Sequence, residues 1–137
     1  MADATRILLI DPNREDREYW RERPHACSSE YVIHEAETGK NGLALATTQQ
    51  IDCVLLELTL PDMSGFEVLV KLIPRARFPD VAVIILTRLV LHPMSGLALG
   101  SGAQAYLVKS RCSGDELDQA IKKAIAVVGP LKRRRPP

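Results

Sequence analysis

The chain has 137 residues, a length that fits one domain, and 46% of them are apolar while 26% are charged. This composition excludes a disordered chain, and no apolar run approaches the roughly 20 residues that a membrane-spanning helix needs. The 18 basic and 17 acidic residues nearly cancel to a formal charge of +1, so the whole domain has no electrostatic attraction to nucleic acid or to anionic lipid.

The three cysteines, Cys27, Cys53 and Cys112, are odd in number and form no CxxC pair. They therefore predict neither a disulfide framework nor a zinc site. The start, MADATRILLI, lacks the basic and long apolar regions of a signal peptide, so we expect a cytoplasmic protein. The only run of like charge lies in KRRRPP at the end, and we divide the chain into a domain at 1–129 and a basic, proline-containing tail at 130–137.

The first half of the chain alternates short apolar runs with helical segments. RILLI (6–10) predicts a strand that ends at a DPN turn, and REDREYWRER (14–23) predicts a strongly charged helix. YVIHEA (31–36) predicts a second strand, and TGKNGLALATTQQ (38–50) contains a small second helix.

The second half repeats this alternation. CVLLEL (53–58) predicts a third strand, followed by a helix in GFEVLVKLI (65–73). VAVIILT (81–87) is the most apolar strand, and AYLV (105–108) predicts a short fifth. A weak fourth helix lies between these two strands, because Gly96, Gly100 and Gly102 each disfavour helix and Pro93 fits only in or before a first turn.

The last helix has the clearest signals. Ser113 followed by Glu116 forms a capping-box pattern, and Asp115 adds negative charge to the first turn. Gly129-Pro130 predicts the end of this helix. Between these ends, one apolar stripe faces the core, formed by Leu117, Ala120, Ile121, Ala124, Ile125 and Val128.

Strands that alternate with helices and are almost continuously apolar predict a parallel sheet covered on both faces. We therefore expect a doubly wound, three-layer α/β domain. In such sheets a ligand site lies at the carboxyl ends of the strands. Asp11, Glu57, Thr87 and Lys109 lie at or near the ends of four different strands, and we expect them to meet at one edge. Taken singly, each also has a purely structural explanation, such as helix capping for Asp11.

The blocks ILLIDPNREDRE, DCVLLELTLPDMSGFEVL, VAVIILT and GAQAYLVKS resemble the receiver domain of two-component response regulators, especially receivers beside or within sensor kinases. The resemblance runs from Arg6 to Val128. It implies a flavodoxin-like fold with strand order 2-1-3-4-5 and a role in phosphorelay signal transduction. It also implies contact with a sensor histidine kinase, a phosphotransfer protein or an output domain.

The resemblance assigns roles to individual positions. The phospho-acceptor position falls on Glu57, the hydroxyl that binds a phosphoryl oxygen on Thr87, and the lysine that clamps the phosphoryl group on Lys109. The aromatic switch falls on Tyr106, with Thr87 as the other switch residue. The acidic pair after the first strand falls on Asp11 and the following residue, and the turn after the acceptor matches the family in Pro61 and Gly65.

Two positions depart from the family pattern. Pro12 stands where the family has a second aspartate that ligates Mg²⁺, and Glu57 stands where it has the acceptor aspartate. Asp11, Glu57 and the backbone carbonyl of Thr59 remain as metal ligands, so we expect Mg²⁺ binding to be weak or lost. Glutamate is longer than aspartate by one carbon, about 1.5 Å, and this displaces its carboxylate from the place where transfer requires it.

These departures leave three hypotheses open. In the first, the longer carboxylate of Glu57 bonds to Thr87 or Lys109 in place of a phosphoryl oxygen and holds one switch state without phosphate. In the second, the site has decayed and Glu57 only pairs with Lys109 to hold the fold. In the third, Glu57 still accepts a phosphoryl group. An α/β enzyme for a small phosphorylated ligand is disfavoured, since neither GxGxxG nor GxxxxGK[ST] occurs.

The segment from Leu89 to Val108 has no Asp, Glu, Lys or Arg. An apolar segment on a face that the family uses for partners predicts a contact surface, with Leu97, Tyr106 and Leu107 as interface residues. We expect a homodimer or partner contact through helix 4, strand 5 and helix 5. Because this sequence has no room for a separate DNA-binding output domain, we expect output by contact or from parts not present in it. Arg88, next to Thr87, is expected either to cover Asp11 and Glu57 or, preferably, to reach solvent.

Overall fold

The computed structural model describes residues 4–27, 31–73, 81–90 and 92–134. Strands and helices alternate along the described chain as β1 (Thr5–Ile10), α1 (Arg14–Cys27), β2 (Tyr31–Ala36), α2 (Gly39–Thr48), β3 (Cys53–Leu56), α3 (Gly65–Leu72), β4 (Ala82–Thr87), α4 (His92–Gly100), β5 (Ala105–Val108) and α5 (Gly114–Arg134). A short 3-10 turn, Lys109–Arg111, joins β5 to α5.

The five strands form one parallel sheet in the order β2-β1-β3-β4-β5. This confirms the doubly wound fold and the strand order that the resemblance implied. In the central strands, Ile10 pairs with Leu56 and Leu56 pairs with Ile85, so the carboxyl ends of β1, β3 and β4 lie side by side. Whatever follows these three strands therefore meets at one edge.

Alternate residues of the buried strands face opposite sides of the sheet and fill two cores. One core packs against α2, α3 and α4 and includes Ile10, Val54, Leu56, Val83 and Ile85. The other packs against α1 and α5 and includes Leu9, Leu55, Ile84, Leu117 and Ile121. Because both faces are covered, these strands tolerate few polar residues, and a charge at a strand end needs a specific partner.

Three elements end two or more residues away from their predicted ends. β3 ends at Leu56, so Glu57 lies one residue beyond the strand. α1 continues past its predicted end to Cys27. α5 does not stop at Gly129-Pro130 but runs to Arg134, so that predicted end is wrong. A proline removes one backbone donor and can bend a helix, but the bonds on either side can continue it.

The fourth helix forms with Pro93 in its first turn, as predicted. Gly102 does not weaken this helix from within, because it lies after the last helical residue with a φ of 107°. The Gly102 amide donates to the Leu99 carbonyl and the Ala103 amide to the Ala98 carbonyl, both at 3.1 Å. These are the two bonds of a Schellman cap, which needs a left-handed residue at this position.

The predicted Ser113 cap of α5 is present, since the Glu116 amide donates to Ser113 Oγ at 3.1 Å, and Glu116 Oε1 accepts from the Ser113 hydroxyl at 3.2 Å. Within the described ranges, no helix is long and apolar enough to cross a membrane. Cys53 is buried and Cys112 is half-buried, and both are free thiols. The side chain of Cys27 and the side chains from 130 onward, where the tail was predicted, lie outside the described residues.

Candidate functional site

Asp11, Glu57, Thr87 and Lys109 meet at the carboxyl edge of the sheet, as their positions predicted. The Lys109 Nζ lies 2.6 Å from Asp11 Oδ2 and 2.9 Å from Glu57 Oε1. The other oxygen of Glu57 accepts a hydrogen bond from the Thr87 hydroxyl. All four side chains are buried or nearly so, and these bonds are therefore stronger than the same contacts at an exposed surface.

Backbone amides hold the carboxylate of Glu57 from the other side. Its own amide donates to the Ile10 carbonyl at 3.0 Å, which continues the β1–β3 ladder past the end of the strand. Glu57 Oε2 then accepts from the Leu58 amide at 2.6 Å and the Thr59 amide at 3.2 Å. The glutamate side chain thus curls back over the start of the loop after β3, which accommodates its extra carbon.

The loop after β3 requires glycine at Gly65. A Cβ at Gly65 would lie 2.6 Å from the Leu58 Cα and 2.7 Å from the Glu57 carbonyl oxygen, both backbone atoms. The Gly65 amide donates to the Leu58 carbonyl at 2.9 Å. The loop therefore folds back tightly on Glu57 and Leu58.

Burial alone would raise the pKa of Glu57, but the hydrogen bonds from Thr87 and Lys109 outweigh it and lower that pKa below its ordinary value. Burial raises the pKa of Asp11, and the bond from Lys109 offsets it only in part. The pKa of Lys109 is raised, because its carboxylate partners outweigh the effect of burial. At neutral pH the site therefore holds a charged Lys109 ammonium beside an ionised Glu57 carboxylate.

Asp16 is a member of this site that the sequence reasoning missed. Its Oδ2 lies 2.9 Å from the Lys109 Nζ, as close as Glu57 does. A usable signal was present, since Asn13 caps α1 and accepts from the Asp16 amide at 2.9 Å. An Asn followed three residues later by Asp marks a helix start, and α1 starts at the site edge of the sheet.

Arg88 does not cover Asp11 and Glu57. Its side chain is largely exposed, as preferred, but it also pairs with Asp16, a contact that the expectation did not include. Its guanidinium forks onto the Asp16 carboxylate, with Nε to Oδ2 at 3.0 Å and Nη2 to Oδ1 at 2.7 Å. Bidentate pairing of this kind is the preferred geometry of arginine with a carboxylate. Burial would raise the pKa of Asp16, but Arg88 and Lys109 together lower it.

A second unforeseen residue, Arg17, supports the end of β1. It is buried, and its Nη1 donates to the Asp11 carbonyl at 2.8 Å. Glu35 and Glu37 accept from its other nitrogens at 3.1 and 3.2 Å. Arg17 therefore fixes the backbone from which the Asp11 side chain projects.

The predicted switch residues are connected through the loop after β4. The Leu89 amide donates to Thr87 Oγ1 at 3.3 Å, and the Tyr106 hydroxyl donates to the Leu89 carbonyl at 2.9 Å. Tyr106 is half-buried and packs against the core on the α4 side. One chain of contacts thus runs from Glu57 to β5, through Thr87, Leu89 and Tyr106.

The side-chain oxygens of Asp11 and Glu57, two of the three predicted magnesium ligands, already accept hydrogen bonds. Asp11 Oδ1 accepts from the Asn13 amide at 2.9 Å and Oδ2 from Lys109, while both oxygens of Glu57 have donors of their own. Mg²⁺ needs near-octahedral oxygen ligands at about 2.0–2.1 Å. Among the described residues, no three His, Cys, Asp or Glu side chains are arranged to hold a metal ion. The arrangement as it stands therefore does not fit this cation.

The chain matches the model of the response regulator receiver domain over residues 7–122, a range that includes all the site residues named above. It belongs to the response regulator receiver family. The probable transcriptional regulatory protein SilR of Salmonella typhimurium is 32% identical to this receiver domain over 106 residues, covering 76% of this chain and 44% of SilR. The chain spans less than half the length of curated relatives such as SilR.

Solved receiver structures share its fold. A CheY-like receiver domain protein from Methanospirillum hungatei JF-1 superposes with a TM-score of 0.81 at 25% identity, over 93% of this chain and 98% of that one. The response regulator TrrA of Thermotoga maritima, solved in complex with Mg²⁺-BeF, gives a TM-score of 0.73 at 32% identity, over 88% of this chain and 98% of TrrA. The receiver fold and its role in two-component signalling are thereby established for this chain.

Proposed function

We propose that this receiver domain acts by protein–protein contact in a phosphorelay, with its switch held in one state by Glu57 and with little or no phosphorylation. The observation that carries the proposal is that both oxygens of the Glu57 carboxylate already accept hydrogen bonds. Its two oxygens accept from Lys109, Thr87 and two backbone amides, which are the kinds of donor that a bound phosphoryl group would use.

The switch contacts support the same proposal. A state that depended on phosphate would need Thr87 and Tyr106 turned away from the site in its absence. Instead, Thr87 donates to Glu57 and Tyr106 bonds to the loop beside Thr87. We assign to Glu57 the role of an internal substitute for the phosphoryl oxygen, and to Thr87 and Tyr106 that of switch residues.

We further propose that Mg²⁺ binds weakly or not at all. Pro12 supplies no side-chain ligand, and the oxygens of Asp11 and Glu57 already have donors. A cation would have to displace Lys109, which remains charged because its pKa is raised. Thr59 would then contribute only a backbone carbonyl.

The deciding experiment combines a small-molecule phosphodonor with Mg²⁺ and measures the intact mass. The proposal expects no phosphoryl adduct in the wild-type chain. The double change Pro12→Asp with Glu57→Asp should restore phosphorylation, which serves as the positive control. An adduct on the wild-type chain that vanishes in Glu57→Gln would overturn the proposal in favour of a working receiver whose acceptor is Glu57.

The variant Glu57→Gln also distinguishes two explanations of the site. In a held switch, Glu57 keeps Thr87 and Tyr106 in one state; in a decayed site, Glu57 only stabilises the fold. In a decayed site, Glu57→Gln would lower stability and leave the Tyr106 environment unchanged. In a held switch, it should also shift Tyr106 outward, which fluorine NMR of 3-fluorotyrosine detects. The chain has three tyrosines, so Tyr106→Phe identifies the resonance.

We propose a sensor histidine kinase, phosphotransfer protein or output domain as partner, with no enzymatic activity of its own and a cytoplasmic location. A homodimer through α4, β5 and α5 is part of this proposal. Leu97 on α4 is 58% exposed, while Tyr106 and Leu107 on β5 are half-buried. Light scattering should give a dimer mass that Leu97→Glu lowers, and a monomer at high concentration would remove the dimer from the proposal.

A further inference from the structure

The Asp16–Arg88 ion pair joins two elements that are far apart in the chain. Asp16 lies in the first turn of α1, and Arg88 follows the last residue of β4. Three distances of 2.7 to 3.0 Å link the guanidinium to the carboxylate. Arg88 also stands between Thr87 and Leu89, and both of these residues take part in the switch contacts. The pair therefore ties the loop after β4 to α1 across the mouth of the site.

Asp16 of this ion pair also accepts a hydrogen bond from Lys109, which occupies the last N–H of the ammonium. An ammonium has three N–H donors, and Lys109 has three carboxylate partners, Asp11, Asp16 and Glu57, at 2.6 to 2.9 Å. No donor remains for an incoming anion while Asp16 is in place. Arg88 donates hydrogen bonds to both oxygens of Asp16. It therefore fixes the position of the carboxylate that accepts the third N–H of Lys109.

We propose that Asp16 and Arg88 form a latch that positions Lys109 and the switch loop. The closed latch keeps the Lys109 ammonium fully bonded, so a phosphodonor anion finds no free donor on it. It also holds the segment from Thr87 to Leu89 in the conformation that accepts the Tyr106 hydroxyl. This inference rests on the proposed function, since the position of Tyr106 is taken as the output.

The Asp16–Arg88 ion pair is partly exposed to solvent, so dissolved salt can weaken it. The Arg88 side chain is 66% exposed and that of Asp16 is 15% exposed. A cleft of about 260 Å³ adjoins them, lined by Asp16, Tyr19, Trp20, Arg88, Lys109 and Ser110. Salt screens exposed ion pairs, with a Debye length of about 10 Å at 0.1 M falling to about 3 Å at 1 M. The latch therefore loosens with ionic strength, while the buried Glu57–Lys109 pair responds much less.

The test follows the 3-fluorotyrosine resonance of Tyr106 in Arg88→Ala, Asp16→Asn and their double variant. Each single change should move the ratio of inward to outward Tyr106 by about two- to fivefold, the range that a surface pair supplies. The double variant should move it no further than Asp16→Asn does, because that change already removes the contact with Arg88. Arg88→Lys should restore part of the effect, since lysine keeps the charge but not the fork.

The matched control is Arg14→Ala, which removes an equal charge from the start of α1. Arg14 pairs with Glu18 four residues on, and both side chains are mostly exposed. This control should leave the Tyr106 ratio at its wild-type value. Raising NaCl from about 0.05 M to about 1 M should shift the wild-type ratio towards that of Arg88→Ala and leave Arg88→Ala itself unchanged.

The outcomes distinguish the latch from the proposed function. If Glu57→Gln moves Tyr106 but Arg88→Ala and Asp16→Asn do not, the latch is refuted and the held switch stands. If the latch variants move Tyr106 but Glu57→Gln does not, the latch stands and the held switch is refuted. If Arg14→Ala moves Tyr106 as far as Arg88→Ala, net charge alone causes the shift, and the latch is again refuted.

Discussion

Replacing Lys109 by methionine removes the one cation that three carboxylates share. Methionine has a similar length and no charge, so the change leaves Asp11, Asp16 and Glu57 facing one another with no ammonium between them. The Lys109 side chain is only 7% exposed, so water cannot fully replace it. Glu57→Gln in the same background then removes one of the three charges.

We expect Lys109→Met to cost about 3–5 kcal/mol of unfolding free energy at pH 7, the range for removing one partner of a buried ion pair. A domain of this size has about 5–15 kcal/mol in total, so the variant should stay folded with a clear loss. Urea unfolding measures it, with the fluorescence of Trp20, the single tryptophan, as the signal, since this residue is buried.

The pH dependence of the unfolding free energy should have the opposite sign in Lys109→Met. In the wild-type chain the lowered pKa values of Glu57 and Asp16 give stability that is present above their unfolded pKa, about 4, and is lost as pH falls through the folded values. The raised pKa of Asp11 opposes this in part. Without Lys109, burial and mutual repulsion dominate, so Lys109→Met should gain stability as pH falls from about 7 to about 5.

Two further comparisons make this prediction refutable. Glu57→Gln should destabilise the wild-type chain but stabilise Lys109→Met, since in the variant it relieves repulsion. Mg²⁺ should also stabilise Lys109→Met, by about 1.4 kcal/mol at ten times its Kd, and leave the wild-type chain unchanged. Lys71→Met, at an exposed position of α3, is the control and should stay within about 0.5 kcal/mol. A cost below about 1 kcal/mol for Lys109→Met, or a pH profile parallel to that of the wild type, would refute the reasoning.

Three more changes test single features of the structure by urea unfolding. Gly96→Ala should stabilise the chain by about 0.5–1 kcal/mol, because Gly96 lies in α4 and a methyl group on its Cα would have nothing within 4 Å, and any loss would contradict this. Gly65→Ala should destabilise by about 1–3 kcal/mol, because its Cβ would meet backbone atoms at 2.6 and 2.7 Å; an unchanged midpoint would show that the loop can move. Thr87→Val keeps the shape of a fully buried residue but removes the donor to Glu57, so it should cost about 1.5–3 kcal/mol and also free Tyr106. A loss of stability with Tyr106 unmoved would separate Thr87 from the switch.

The fold could be predicted because its signals are local and repeated. The strands YVIHEA and AYLV have the bounds that their apolar patterns indicated, and the Ser113 cap forms at its predicted place. The end of α5 could not be predicted from Gly129-Pro130, because this pair permits either a stop or a continued helix.

The site was predictable mainly for residues at strand ends, with a weaker signal for Asp16 at the start of α1. Asp11, Glu57, Thr87 and Lys109 follow from sheet geometry, since parallel strands end at one edge. Asp16 and Arg88 do not, because their meeting depends on how α1 packs against the sheet and on which rotamers the two side chains adopt. A charge on an exposed helix face is usually solvated, so no pattern in the sequence connects a residue of the first helix with one after β4.

The effects of Glu57 and Pro12, the two residues that depart from the family pattern, depend on each other. Changing only one of them back to aspartate therefore should not restore phosphorylation. Glu57→Asp would withdraw the carboxylate by about 1.5 Å and weaken its bond to Thr87. Lys109 would still be held by Asp11 and Asp16, and Pro12 would still supply no ligand. The single variant should therefore lose the held switch without gaining phosphorylation. Only the addition of Pro12→Asp supplies a carboxylate for a cation, and opening the latch at Arg88 should then raise the phosphorylation rate of the double variant further.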